Sequence, residues 1–141
     1  FIDWSAAAAF ARTIIDDYGV KCPGPQARVR LLSGGNMQKL ILGRVMNANP
    51  CVVLANQPTR GLDVGAVAYV HEQLLKARSN GAGVLLISED LDELLALADQ
   101  IAVIYQGQVS PLMARPMVDI GRLGLMMAGQ GFIHVEQDHA A

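Results

Sequence analysis

Charge is scarce in this chain and nearly balanced. Only 17% of its 141 residues are Asp, Glu, Lys or Arg, and 11 basic against 13 acidic side chains leave a formal charge of −2. That removes the basic footprint that nucleic acid or an anionic membrane surface requires of a partner. Cysteine is scarcer still. Cys22 and Cys51 are too far apart in sequence for a metal-type pair and too few for a disulfide scaffold, so a reduced protein is expected. Cys51, at the head of the apolar run Cys51-Val52-Val53-Leu54, is expected to be a small buried thiol. No apolar run approaches the roughly 20 residues that span a bilayer; the nearest, Ala6 to Ala11, is short and alanine-rich. The opening Phe1-Ile2-Asp3-Trp4 lacks the basic stretch of a secretion signal. What is abundant is apolar character, 52% of the chain, enough to bury a core at a length that suits one domain better than two.

Periodicity and breakers divide the chain. Trp4 to Tyr18 reads as a helix with Ser5 as its N-cap and Gly19 as its stop. Cys22-Pro23-Gly24-Pro25 can only be a loop. From Asn36 to Asn47, Met37, Leu40, Ile41 and Val45 recur at helical spacing. Cys51 to Ala55 and Val84 to Ser88 are short apolar runs of the kind that form buried strands, and Val64 to Ser79 between them is a helix ended by Asn80-Gly81. Asp90 to Ala98 forms a short helix, with Asp90 and Glu93 at capping-box spacing. Ile101 to Tyr105 predicts a strand, the Gln106-Gly107 turn leads to another at Gln108 to Ser110, and Met117 to Ala128 predicts the last helix. A leading helix followed by alternating strands and helices describes an α/β core with a helical appendage.

The most informative stretch is Leu32-Ser33-Gly34-Gly35-Asn36-Met37-Gln38-Lys39. Taken alone, it is what any capped helix start looks like: Ser33 as the cap and two glycines as a flexible entry. The same residues also suit a phosphate. A helix N-terminus offers unpaired N–H groups and the positive end of its dipole, glycines let an anion come close, and Ser33 adds a hydroxyl. Gln38 and Lys39 continue on that helix, where a solvated face is the ordinary expectation.

Neighbouring motifs give this stretch its context. It resembles the signature of ABC-transporter ATPases. Downstream, Cys51-Val52-Val53-Leu54 followed by Ala55-Asn56-Gln57-Pro58-Thr59 looks like the family's Walker B region. Arg60-Gly61-Leu62-Asp63 looks like its D-loop, and Leu85-Leu86-Ile87-Ser88-Glu89-Asp90 stands where the switch-histidine motif is expected. The wording from Gln57 to Ala66 is most similar to ATPase subunits of simple-sugar and nucleoside importers, which carry two tandem nucleotide-binding domains. Phe1-Ile2-Asp3-Trp4 also resembles the helical subdomain of the second of these. The resemblance implies a partial P-loop NTPase fold of α/β class: a mostly parallel sheet flanked by helices, with part of the helical subdomain. Residues 1–48 would be that subdomain with the signature loop and helix, 49–129 the C-terminal part of the α/β core, and 130–141 a tail.

Residue by residue, the resemblance assigns Ser33, Gly34, Gly35 and Gln38 to ATP held by a partner domain. It places Asp63 at the interface between the two domains, a role compatible with capping the following helix. It also exposes departures. The family's Walker B Asp and Glu stand here as Asn56 and Gln57, and its switch His as Glu89. An amide oxygen is a poorer partner than a carboxylate for a hard cation such as Mg²⁺, so Asn56 would be a weak metal position. Gln57 can orient a water but cannot take its proton, and an ionised Glu89 offers only acceptors to a phosphate. All three losses fall on one composite site, while the signature serving the other site is intact.

The chain also lacks Gly-x-x-x-x-Gly-Lys-Ser/Thr, so alone it is expected neither to hold ATP nor to hydrolyse it. The high apolar fraction is then partly a surface meant for absent chain and for partner domains. The partners implied are a second ABC ATPase domain, membrane permease subunits and, indirectly, a substrate-binding protein; nucleic acid is not among them. The implied place is the cytoplasmic face of the cell membrane. Two alternatives are a non-transport ABC ATPase, without the coiled-coil or basic extensions usual there, and an inert regulatory half-domain. Elsewhere, His134, Asp138 and His139 suggest a metal site only weakly in a polar tail, His71 reads as structural or exposed, and Met113, Met117, Met126 and Met127 as core fillers.

Overall fold

The computed structural model describes residues 1–130. The chain divides into two compact units, Phe1–Glu89 and Asp90–Ala141. The expected tail, with His134, Asp138 and His139, lies outside the described residues save for Gln130. Among the described residues, no helix is long and apolar enough to cross a membrane.

The first unit opens with helix α1 (Trp4–Asp17), then a 3₁₀ turn at Val29–Leu31 and helix α2 (Gly34–Met46). Strand β1 (Val52–Asn56), helix α3 (Val64–Ser79) and strand β2 (Gly83–Ile87) complete it. The cap of α1 is Asp3 and not Ser5: its carboxylate accepts from the N–H groups of Ser5 and Ala6, at 2.9 and 3.0 Å. A charged acceptor serving two donors outcompetes a single hydroxyl, and Ser5 falls inside the first turn. Helices α1 and α3 both end on a glycine in the left-handed region, Gly19 and Gly81, followed by Val20→Ile15 and Ala82→Ala77 bonds that close the last turn. Ile14, Val70 and Leu74 are the most deeply buried apolar residues of this unit. Helix α2 meets α1 through Gly43, where a Cβ would lie 2.6 Å from Ile14 Cγ2 and 2.9 Å from Tyr18 Cδ2.

Strands β1 and β2 pair in parallel from Val52↔Gly83 to Asn56↔Ile87, and α3 lies against β2. Burial alternates along β1. Val53 and Ala55 are buried, but Val52 and Leu54 are 67% and 66% exposed, and Leu85 on β2 is 58% exposed. Parallel strands are ordinarily covered on both faces; here one apolar face is open. Cys51 is exposed, against expectation. The strand begins only at Val52, and the inward alternation falls on Val53 and Ala55, which leaves position 51 at the mouth of the strand.

The second unit holds helix α4 (Leu91–Leu97), strands β3 (Gln100–Ile101), β4 (Ile104–Tyr105), β5 (Gln108–Val109) and β6 (Met113–Ala114), and helix α5 (Ile120–Met127). Both pairings are antiparallel, β3 with β6 and β4 with β5. Its core is Ile101, Val103, Leu123 and Met126, with Leu91, Leu94 and Leu95 packed against it. The single strand expected over Ile101–Tyr105 is two. The Val103 N–H goes to the Ser110 side-chain oxygen at 2.9 Å in place of a ladder carbonyl, and the chain changes partner there. Gln106 and Gly107 both have positive φ, 45° and 79°, the pattern of a tight two-residue hairpin. The last helix starts at Ile120 and not Met117, because Asp119 accepts from the Arg122 N–H at 2.8 Å and caps it there. Residues 115–117 form a 3₁₀ turn carrying Pro116. Of the methionines, Met126 is core and Met113 packs against it, but Met117 is 81% exposed and Met127 is exposed too. Met117 lies in the 3₁₀ turn before α5, and Met127 is the last residue of that helix.

Candidate functional site

Ser33 is the N-cap of α2, with its hydroxyl oxygen accepting from Asn36 N–H at 3.4 Å and from Asn36 Nδ2 at 2.9 Å. The Asn36 side-chain oxygen in turn accepts from the Lys21 N–H at 2.8 Å, which fixes the loop after α1 against the start of α2. Ser33 and Gly34 are exposed. As N1 and N2 of the helix, Gly34 and Gly35 have no intrahelical acceptor for their N–H groups. The Met37 N–H closes onto the Ser33 carbonyl. The site is thus a solvent-facing helix start with two donors to spare. A Cβ at Gly35 would lie 3.3 Å from Ala66 Cβ, and one at Gly34 would be 3.9 Å from Leu62 Cδ2. The start of α2 therefore abuts the start of α3.

Asp63 caps α3, accepting from the Ala66 N–H at 2.8 Å, and its side chain stays exposed. The two helix starts are therefore neighbours, and each is capped by a side chain of its own. Gln38 Nε2 donates to the Pro58 carbonyl at 2.9 Å. Of the four residues expected to face nucleotide, it is the one with a donor engaged inside the chain. Lys39 does not lie on a solvated face. Its ammonium sits 4.8 Å from the Tyr69 ring centroid and donates to the Gly19 carbonyl at 3.4 Å.

Asn56, Gln57 and Glu89 gather at the carboxyl ends of β1 and β2. Asn56 is the last residue of β1, opposite Ile87. The Gln57 N–H donates to the Ile87 carbonyl at 2.8 Å and extends the ladder by one bond. Gln57 then takes φ of 49°, in the left-handed region, where the chain turns out of the sheet. Glu89 follows two residues after β2 and is exposed, as is Asn56. The carboxyl edge of parallel strands is where α/β folds place ligands. The donor set on this edge is two amides and one carboxylate, and among the described residues no group of three His, Cys, Asp or Glu side chains is suited to a metal ion. These residues do not fit a tight Mg²⁺ site, which wants carboxylates.

Sequence reasoning missed Asn36 as the tie to Lys21, and Tyr69 as the partner of Lys39. Both are contacts between elements distant in sequence, and the only signal was a helical Tyr on the same element as Asp63. Burial raises the Tyr69 phenol above its ordinary pKa, with Tyr18 and then Glu72 adding to the effect; Tyr18 is raised by burial and then by Asp17.

No protein-family model matches the chain. The nucleoside import ATP-binding protein NupA of Lactococcus lactis is 40% identical over 92% of this chain and 26% of its own length. The guanosine import ATP-binding protein NupO of Bacillus subtilis is 45% identical over 84% of this chain and 23% of its own length. The glucose import ATP-binding protein TsgD13 of Haloferax volcanii is 42% identical over 92% and 24%. The chain spans about a quarter of the length of these relatives. Among solved structures, an ATP-binding cassette of an ABC transporter aligns with a TM-score of 0.68 at 20% identity, over 86% of this chain and 48% of the other. A dimeric cassette bound to ADP and phosphate aligns at 0.66 and 21%, over 82% and 50%. The chain is thus a homologue of one segment of the ATP-binding proteins of nucleoside and sugar importers, with the fold of part of an ABC ATPase cassette.

Proposed function

We propose that the chain works within the ATP-binding component of an importer of simple sugars or nucleosides, where Ser33, Gly34 and Gly35 contact ATP held by a second ATPase domain. One observation carries this reading: the start of α2 is exposed, glycine-lined and left with free N–H donors at Gly34 and Gly35. Such a terminus receives anionic oxygens directly. The Ser33 hydroxyl can turn its proton outward while its oxygen still accepts from Asn36. Asp63 stands beside this surface, on the adjoining helix start, and faces the partner domain.

The carboxyl edge of β1 and β2 has the opposite character. Gln57 at the turn can orient a water but cannot accept its proton, and positioned general-base catalysis is typically worth about 10²–10⁴-fold. Glu89 brings a negative charge to an edge that would face a phosphate. Asn56 is at best a weak Mg²⁺ contact. The pair of sites is therefore unequal: this chain completes the active one and holds the deficient one. The open apolar face of Val52, Leu54, Leu85 and Ile87 supports a place inside a larger domain. The complete protein would act peripherally at the cytoplasmic face of the membrane, with permease subunits and, through them, a substrate-binding protein.

The test is Ser33→Ala in the full-length protein assembled with its permease. A lost hydrogen bond to a charged group is worth about 1.5–3 kcal/mol, so ATP turnover and transport should fall by about 10–100-fold. Unchanged turnover and transport would remove the signature from the mechanism.

A further inference from the structure

The loop from Gln57 to Asp63 joins the end of β1 to the start of α3, and three of its N–H groups bond to nearby carbonyls. The Gln57 N–H bonds to the Ile87 carbonyl, Arg60 N–H to the Gln57 carbonyl at 3.2 Å, and Leu62 N–H to the Thr59 carbonyl at 3.1 Å. Pro58 has no N–H to give, and it is buried. Its carbonyl takes the hydrogen bond from Gln38 Nε2 at 2.9 Å, from a helix 20 residues upstream. Gln38 sits about one turn beyond Ser33–Gly35 on α2. One side-chain amide thus bridges the helix that carries the signature and the loop that begins with Gln57 and ends with Asp63.

The geometry points to Gln38 as a positioning residue and not a nucleotide ligand. Its amide holds the start of α2 and the Gln57–Asp63 loop in one register, so that Ser33 and Gly34 on one side and Asp63 on the other meet the partner domain together. This rests on the function proposed above and assigns Gln38 a different part in it. The packing of Gly35 on Ala66 and of Gly34 near Leu62 brings the two helix starts close. Those contacts are apolar and slide; the amide fixes the register.

The experiment uses the full-length protein with its permease and compares Gln38→Leu, which removes the donor, with Gln38→Glu, which keeps the shape. An ionised carboxylate offers only acceptors to the Pro58 carbonyl. Both variants should lower kcat at least fivefold with KM for ATP within twofold. Amide exchange at Arg60 and Leu62 should quicken at least fivefold, while exchange at Val70 and Leu74 stays as it was. A raised KM with kcat retained would make Gln38 a direct ligand and overturn the proposal. So would unchanged kinetics, or exchange that quickens evenly across α3. Should Gln38→Leu fail to fold, the near-isosteric Gln38→Glu carries the comparison alone. If Ser33→Ala is silent, the functional reading fails, and exchange at Arg60 and Leu62 still decides the tie.

Discussion

The Lys39 ammonium lies over the Tyr69 ring, 4.8 Å from its centroid. The same ammonium donates to the Gly19 carbonyl, and the Tyr69 hydroxyl donates to the Tyr18 carbonyl, each at 3.4 Å. Three helices meet here: the end of α1, the first turns of α2 and the middle of α3. A partly exposed cation–π pair contributes about 1 kcal/mol. Lys39→Met should therefore lower the thermal midpoint by about 4 °C, whereas Tyr69→Phe, which keeps the ring, should lose less than half of that. Thermal unfolding followed by circular dichroism checks both. Equal losses from the two variants would show that the hydroxyl, and not the ring, carries the contact.

Two helical glycines should respond oppositely to alanine. At Gly43 a Cβ would press on Ile14, which is fully buried and cannot swing aside, and on the Tyr18 ring. Overpacking costs about 1–3 kcal/mol and outweighs the helix-propensity gain, so Gly43→Ala should destabilise by about 1–2 kcal/mol. At Gly124 in α5 an added Cβ meets nothing within 4 Å, and Gly124→Ala should stabilise by about 0.5–1 kcal/mol. Denaturant midpoints of the two variants test the pair together.

Much of this was legible in the chain itself, and the failures share a cause. Val64 to Ser79 was readable to the residue because Asp63 caps it and Asn80-Gly81 ends it, both local signals. Ser33 as cap and glycine-lined entry was readable for the same reason. Ser5 failed because a carboxylate two residues earlier was the better acceptor, and Met117 because Asp119 set the start of the last helix. The break between β3 and β4 was invisible, since it depends on the Ser110 side chain, seven residues from Val103, taking a ladder bond. The contacts of Lys39 and Gln38 were invisible because their partners, Tyr69 and Pro58, lie 20 to 30 residues away in sequence. Helical periodicity says which face a residue is on; it does not say what crosses that face.

Stability should fall in alkali. Burial raises the pKa of Tyr69 and of Tyr18 in the fold above 10, so the native state keeps phenol protons that the unfolded chain releases. With more protons bound in the native state, stability declines as pH rises through about 10. It levels off once the native phenols also ionise. Tyr69→Phe should flatten part of that decline. Chemical unfolding at pH 8, 10 and 11 checks it, and an identical slope in the variant would assign the decline to other groups.

The 141-residue chain alone should neither hold nor hydrolyse ATP. The helix start offers an anion two backbone donors and one hydroxyl, and the sequence has no lysine-bearing glycine loop of the kind that wraps the β- and γ-phosphates. Association costs about 4–15 kcal/mol in lost freedom before any contact counts. A few exposed hydrogen bonds, each about 0.5–1.5 kcal/mol net, do not cover that cost. The carboxyl edge of β1 and β2 does not make up the difference, because Asn56 and Gln57 are neutral and Glu89 repels phosphate. Titration calorimetry with millimolar Mg-ATP should show no saturable heat, and phosphate release should match the buffer blank. Saturable binding or turnover by the 141 residues alone would mean that this surface holds phosphates by means the helix start and strand edge do not provide.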